Sequence, residues 1–189
     1  MAKIVPVGVS NRHVHLSQEH INILFGEGYE LTNFKDLSQP GQYACNEKVD
    51  IVGPKNTLSG VRVLGPARPA SQVEVSLFDG FTLGLKVPVR NSGDIKESAG
   101  CVLKGPKGEV EIAEGVIAAA RHIHMNTSEA KDWDINDNDV VSVKFNGTRG
   151  GVLEHVLVRV HDNFALEMHV DLDEANAFAI KNGDTVEII

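Results

Sequence analysis

Four of the eight histidines in this 189-residue chain fall in two His-x-His motifs, His13-Val14-His15 and His122-Ile123-His124. On a helix, residues i and i+2 point to different faces, but on a strand they share a face about 7 Å apart, so both imidazoles can reach one ion. A catalytic zinc keeps three protein ligands and one open position, which leaves each pair one donor short. Glu74, alternating with Val73 and Val75 on a strand-like segment, is the third donor expected for the first pair, since a buried carboxylate needs a partner. His169, in Glu167-Met168-His169-Val170-Asp171, is the one expected for the second. The sets are thus His13, His15 and Glu74 for one ion and His122, His124 and His169 for another; His20, His155 and His161 are left to surface or structural roles.

Arg68 stands in Gly65-Pro66-Ala67-Arg68-Pro69-Ala70, where the prolines forbid a helix and hold the loop extended. Fixed so close in sequence to Glu74, its guanidinium suits a bidentate grip on phosphate. The alternative is a solvated loop arginine.

The elements that must position these side chains read as short strands. Val61–Leu64, Gln72–Leu77, Val140–Lys144, His155–Val160 and Thr185–Ile188 are the clearest, punctuated by Gly53-Pro54, Gly65-Pro66, Asp79-Gly80, Gly105-Pro106 and Asn182-Gly183. Val5, Val7 and Val9 share parity with His13 and His15, and Val116, Ala118 and Ala120 with His122 and His124, so each motif is expected at the polar end of an apolar strand. Helices are few and short, capped by Ser17, by Thr127, and by Asp171 or Asp173, the last running from Glu174 to Ile180 and stopped by Asn182-Gly183.

Arg12-His13-Val14-His15-Leu16 recurs as Arg121-His122-Ile123-His124-Met125, and Ile135–Val140 is echoed more weakly by Ile180–Thr185. The expected fold is mainly β: two related antiparallel β-barrel domains with a few short capping helices. The first is expected over residues 1–120 and the second over 121–189, with the strand in 1–11 free to pair into the second instead. Chance similarity in a valine-rich β protein is the competing account of the repeat.

A net charge of −8 and a pI near 5.4, with no basic run, argue against nucleic-acid or membrane-surface partners. Cys45 and Cys101 form no CxxC pair, which fits a reducing, cytoplasmic setting. The N-terminus lacks a secretory pattern, and no run of roughly 18 apolar residues occurs.

Five segments, taken in order, resemble the PduL-type phosphotransacylases (phosphate propanoyltransferases): Val9–Ser17, Gly65–Glu74, Arg90-Asn91-Ser92-Gly93, Ala119–Met125 and Met168–Asn176. The resemblance covers nearly the whole chain. It implies two β-barrels with a pair of zinc ions between them, and reversible exchange of acetyl or propanoyl groups between CoA and phosphate. The partners it implies are acyl-CoA, CoA, phosphate and acyl phosphate. Carried over by position, it implies zinc on the two sets above and phosphate on Arg68. CoA contacts are implied at Gly8, Val9, Ser10 and Asn176, and less directly at Lys55 and Arg62, with Ser92 and Arg159 as polar residues of the site. One zinc is expected to bind the CoA sulfur and the other to polarise the acyl carbonyl or hold phosphate. Many relatives begin with an amphipathic helix that directs them to a microcompartment; its absence here points to the cytoplasm, and homo-oligomerisation is left open. A dinuclear zinc hydrolase and a non-catalytic metal-binding barrel are the rival functions.

Overall fold

A computed structural model describes residues 2–189. In chain order the elements are β1 (Lys3–Ser10), β2 (His13–His15), α1 (Gln18–Phe25), β3 (Asn33–Asp36), β4 (Tyr43–Val52), β5 (Thr57–Gly65), β6 (Gln72–Glu74), α2 (Leu77–Leu83) and β7 (Val89–Arg90). They continue with β8 (Ala99–Lys104), β9 (Glu109–Ala119), β10 (His122–Met125), α3 (Thr127–Trp133), β11 (Val140–Phe145), β12 (Gly151–Val160), β13 (Glu167–Asp171), α4 (Leu172–Phe178) and β14 (Thr185–Ile188). Among the described residues no helix is long and apolar enough to cross a membrane.

The chain forms two compact units: residues 12–37 with 41–119, and residues 1–11 with 38–40 and 120–189. Of the two placements open to the strand in 1–11, it takes the C-terminal unit, where β1 pairs with β13 and β14. In that unit the strands close in the order β1-β13-β10-β12-β11-β14. In the other, β4-β5-β2-β6-β9-β8 returns to β4, with β3 and β7 added at the sides. Two barrels are therefore present as expected, but their pairing is mixed and not purely antiparallel.

The mixture has a simple origin. Each barrel is two copies of a strand–helix–strand–strand motif: β2-α1-β4-β5 with β6-α2-β8-β9, and β10-α3-β11-β12 with β13-α4-β14-β1. In every copy the first strand pairs parallel with the last and the second strand pairs antiparallel with the last; three copies are continuous through a helical crossover, and the fourth takes its last strand, β1, from the other end of the chain. The two first strands of a barrel then pair antiparallel with each other, β2 with β6 and β10 with β13. The weaker sequence echo is this motif recurring inside one barrel. Ile135 N–H bonds Ala130 O at 2.9 Å and Ile180 N–H bonds Ala175 O at 2.8 Å, while Asn136 and Lys181 N–H bond Asp139 and Asp184 carboxylates at 2.7 and 2.8 Å.

Among the described residues each of the four helices begins at a polar N-cap two residues beyond the second polar position of its strand: Ser17, Ser76, Asn126 and Asp171. Thr127 is thus the first helical residue and not the cap. The last helix stops at Ala179, in the left-handed conformation, before Asn182-Gly183 is reached. The Gln72–Leu77 stretch is strand only to Glu74, because Ser76 and Asp79 form a capping box that starts α2.

Each barrel has its own core. Val14, Leu16, Val63, Val73 and Val116 belong to one, and Val5, Val7, Ile123, Met125 and Met168 to the other. Burying each such side chain contributes about 1.5–3 kcal/mol, enough to hold strands as short as β2 and β6 in register. The His-x-His motifs are strands of their own and not the ends of β1 and β9. The chain changes unit at Asn11–Arg12 and again at Ala119–Ala120, so the parity of Val5 and Val7 does not carry through to His13.

Candidate metal centres

In the unit built from residues 12–37 and 41–119, β2 lies between β5 and β6, and its register sets His13 opposite Glu74 and His15 opposite Gln72. Val14 and Leu16 turn into the core, so the two imidazoles share the other face. One ligand atom each from His13, His15 and Glu74 lies within 4.8 Å of the others. His13 Nε2 is 3.4 Å from Glu74 Oε2 and His15 Nε2 is 3.9 Å from Oε1.

Burial, and then the neighbouring His13 and Arg68, lower the His15 pKa to about 3. His15 is therefore neutral at pH 7, and its contact with Glu74 is not an ion pair. For Glu74 burial alone would raise the pKa, but His13 and the Ser92 hydroxyl outweigh it and hold it below the ordinary carboxylate value. Ser92 Oγ and Gln72 Nε2 both donate to Glu74 Oε1, at 2.9 and 2.6 Å, and Gln72 is fixed in turn by Gly93 N–H at 2.8 Å. Arg68 is anchored beside this group by its backbone N–H to Leu16 O at 2.9 Å. Its loop leaves β5 at Gly65, where a Cβ would stand 2.4 Å from the Tyr43 ring.

The other unit repeats the arrangement. β10 lies between β12 and β13, with His122 opposite His169 and His124 opposite both Glu167 and, on the far side, Arg159. Ligand atoms of His122, His124 and His169 lie within 4.8 Å of one another, with ring centroids 4.7, 5.1 and 4.9 Å apart. Burial, followed by His122, His169 and Arg159, lowers His124 to about 2. His122 Nδ1 bonds Ala120 O at 2.8 Å, and His169 Nε2 bonds Glu167 Oε2 at 2.7 Å. Phe164 packs on His124, ring centroids 4.4 Å apart, and Arg159 reaches over the same phenyl ring.

These residues fit zinc. Two histidines with a carboxylate, and three histidines, are donor sets that leave a fourth position open for chemistry. The imidazoles that must offer a lone pair are kept neutral by burial, and Nδ1 of His124 is buried with no hydrogen-bond partner. No third such group occurs among the described residues: His20 bonds Ser71 Oγ at 2.7 Å, and His155 and His161 are exposed.

The remaining expected site residues are more scattered. Arg62 lies opposite His13 on β5, bonds Cys45 O and covers the Phe34 ring at 4.8 Å. Lys55 extends over Phe81, 5.8 Å from the ring centroid. Gly8, Val9 and Ser10 pair with His169, Val170 and Asp171, and Asn176, on α4, accepts a bond from Arg149. Four residues passed over in the sequence brace the centres: Arg12 pairs with Asp79 at 2.7 Å, and Arg121 with Glu174 at 2.6 Å. Each arginine immediately precedes a His-x-His, and each acid is the third helical residue after a third donor's cap. The signal was visible, since the arginine is part of the repeated pentapeptide.

The phosphate propanoyltransferase family profile matches residues 6–181, a span that includes all six donors. The chain belongs to the phosphate propanoyltransferase family. It is 53% identical over 184 residues to the phosphate propanoyltransferase of Thermotoga maritima, covering 97% of this chain and 88% of that one. The protein of that name from Listeria monocytogenes is 49% identical over 185 residues, with 98% and 87% covered, and that from Priestia megaterium 53% over 181 residues, with 96% and 83% covered. Members of this family are, as their name states, acyltransferases, and both halves of the repeated architecture lie within the similarity.

Proposed function

We propose that this protein is a zinc-dependent phosphate acyltransferase that moves an acetyl or propanoyl group reversibly between CoA and phosphate. The observation that carries the reading is the pair of three-donor groups, one per barrel, with Arg68 electrostatically coupled to the first, in a chain of this family. Zinc held by His13, His15 and Glu74 and by His122, His124 and His169 would lower the pKa of a bound thiol and stabilise negative charge developing on oxygen.

The chain's own residues do the rest. Arg68 presents a planar pair of donors to phosphate and orients one of its oxygens toward the acyl carbon. That carbon exchanges its bond to sulfur for a bond to the phosphate oxygen, and CoA leaves as the thiolate. Arg159, beside His124, adds positive charge where anionic groups of the reactants gather. Ser92 and Gln72 keep Glu74 aimed and ionised. No protein nucleophile is required, because the two exchange partners are both nucleophiles once positioned. CoA contacts at Gly8, Val9, Ser10, Lys55, Arg62 and Asn176 complete the proposal. A cytoplasmic setting accords with two buried thiols, Cys45 and Cys101, left unpaired.

Thiol release from acetyl-CoA and propanoyl-CoA, measured with and without phosphate, tests the function. Thiol release that needs phosphate and yields acyl phosphate is expected. The same rate in phosphate-free buffer would identify a thioester hydrolase instead.

A further inference from the structure

All four repeats place a polar pair two residues apart on the first strand, with the helix cap two residues beyond. The series reads His13, His15, Ser17; Gln72, Glu74, Ser76; His122, His124, Asn126; and Glu167, His169, Asp171. Three of the four polar strand positions in each barrel make its metal group. The fourth is Gln72 in one barrel and Glu167 in the other. Their registers are equivalent, Gln72 opposite His15 and Glu167 opposite His124. Each contacts the third donor of its own centre: Gln72 Nε2 donates to Glu74 Oε1 at 2.6 Å, and Glu167 Oε2 lies 2.7 Å from His169 Nε2. The chemistry is matched to the donor, an amide N–H serving a carboxylate and a carboxylate serving an imidazole N–H.

Glu167 is itself held in place. Ser38 Oγ donates to the same carboxylate oxygen. Gln39, buried, keeps Ser38 there by bonding Ala165 O and N at 2.9 and 3.2 Å. This accounts for the membership of residues 38–40 in the C-terminal unit. On the other side Gly8, the register partner of His169, provides clearance: a Cβ there would stand 2.9 Å from Glu167 Cδ.

We propose that Glu167 is a positioning residue of the second centre, accepting the Nε2 proton of His169 so that ring orientation and tautomer are fixed and Nδ1 keeps its lone pair for the ion. The role rests on reading His122, His124 and His169 as a metal site. His122 is held in the same manner through its other nitrogen by Ala120 O. A carboxylate partner goes further, because it also makes the imidazole a stronger donor. Ser38, Gln39 and Gly8 act through Glu167.

The test is competitive titration of the metal-free full chain with zinc and cobalt(II) against a chelator, with His124→Ala marking which ion occupies the second centre. Glu167→Ala should weaken that ion about 10- to 100-fold and leave the other unchanged. The melting temperature of the metal-free chain should stay within about 2 °C, which a merely structural role would not allow. Glu167→Gln, whose amide oxygen still accepts but without charge, should recover part of the loss. Gly8→Ala, which retains the carboxylate but displaces it, should resemble Glu167→Ala. If wild type binds two ions and Glu167→Ala binds them equally well, the positioning role is wrong while the metal reading survives. A loss beyond about a thousandfold with an altered cobalt spectrum would make Glu167 a ligand and also overturn the role. A wild-type chain that binds no ion at the second centre overturns both readings together.

Discussion

Arg12→Ala removes the cation that meets Asp79, and the consequence can be worked from the pair's surroundings. The Asp79 side chain is only 4% exposed, and it receives Arg12 Nε at 2.9 Å and the terminal nitrogen at 2.7 Å, a bidentate fork. Stripping one partner from a buried pair costs about 3–5 kcal/mol, because the remaining charge is left without compensation. Arg12 is 37% exposed, so water can enter in its place, and a loss of about 2–3 kcal/mol is expected. The homologous pair supplies the internal control. Glu174 is 21% exposed and meets Arg121 through one contact of 2.6 Å, so Arg121→Ala should cost less, about 1–2 kcal/mol. At roughly 2–4 °C per kcal/mol for a chain of this size, Arg12→Ala should lower the melting temperature of the metal-free protein by about 5–10 °C. The assay is calorimetric melting of both variants and of the double variant Arg12→Ala with Asp79→Ala, whose loss should fall short of the sum of the singles. An Arg12→Ala melt within about 2 °C of wild type, or a larger shift in Arg121→Ala, would refute the reasoning.

Metal analysis should find about two zinc ions per chain, and His124→Ala should lose one of them with nearly all turnover, since a three-donor site left with two binds poorly; full occupancy in that variant would sink the assignment. Arg68→Ala should raise the phosphate requirement strongly with zinc content unchanged, and Arg68→Lys should restore only part, so equal phosphate dependence in all three proteins would exclude the assignment. Acid should destabilise the metal-free chain: His15 and His124 stay neutral when folded, near pKa 3 and 2, while the unfolded chain takes up protons below about pH 6.5. Their contribution is complete above that pH and declines on acidification, by about 2 kcal/mol per histidine at pH 5, with Glu174, raised by burial, working in the opposite sense. A melting temperature at pH 5 equal to or above that at pH 7 would contradict this.

Much of the site could be read from residue order alone, because metal chemistry is local where donors alternate on a strand. His13 with His15 and His122 with His124 announce themselves by spacing, and Glu74 and His169 by being polar in apolar, alternating segments. The repeated pentapeptide also foretold two related barrels. What spacing could not supply was pairing. Whether Glu74 lies opposite His13, and Glu167 opposite His124, is set by the antiparallel contact of the first strands of two motifs far apart in the chain. The same limit left open which barrel the strand in 1–11 joins. β1 shares the parity of His13, yet its hydrogen bonds go to β13 and β14, because strand pairing is settled by tertiary packing and not by nearness in the sequence. Residue types therefore marked the candidate donors. Tertiary packing decided which neighbours hold them, since the bonds of Ser92 to Glu74, Ser38 to Glu167 and Arg12 to Asp79 join residues that only the closed barrels bring together.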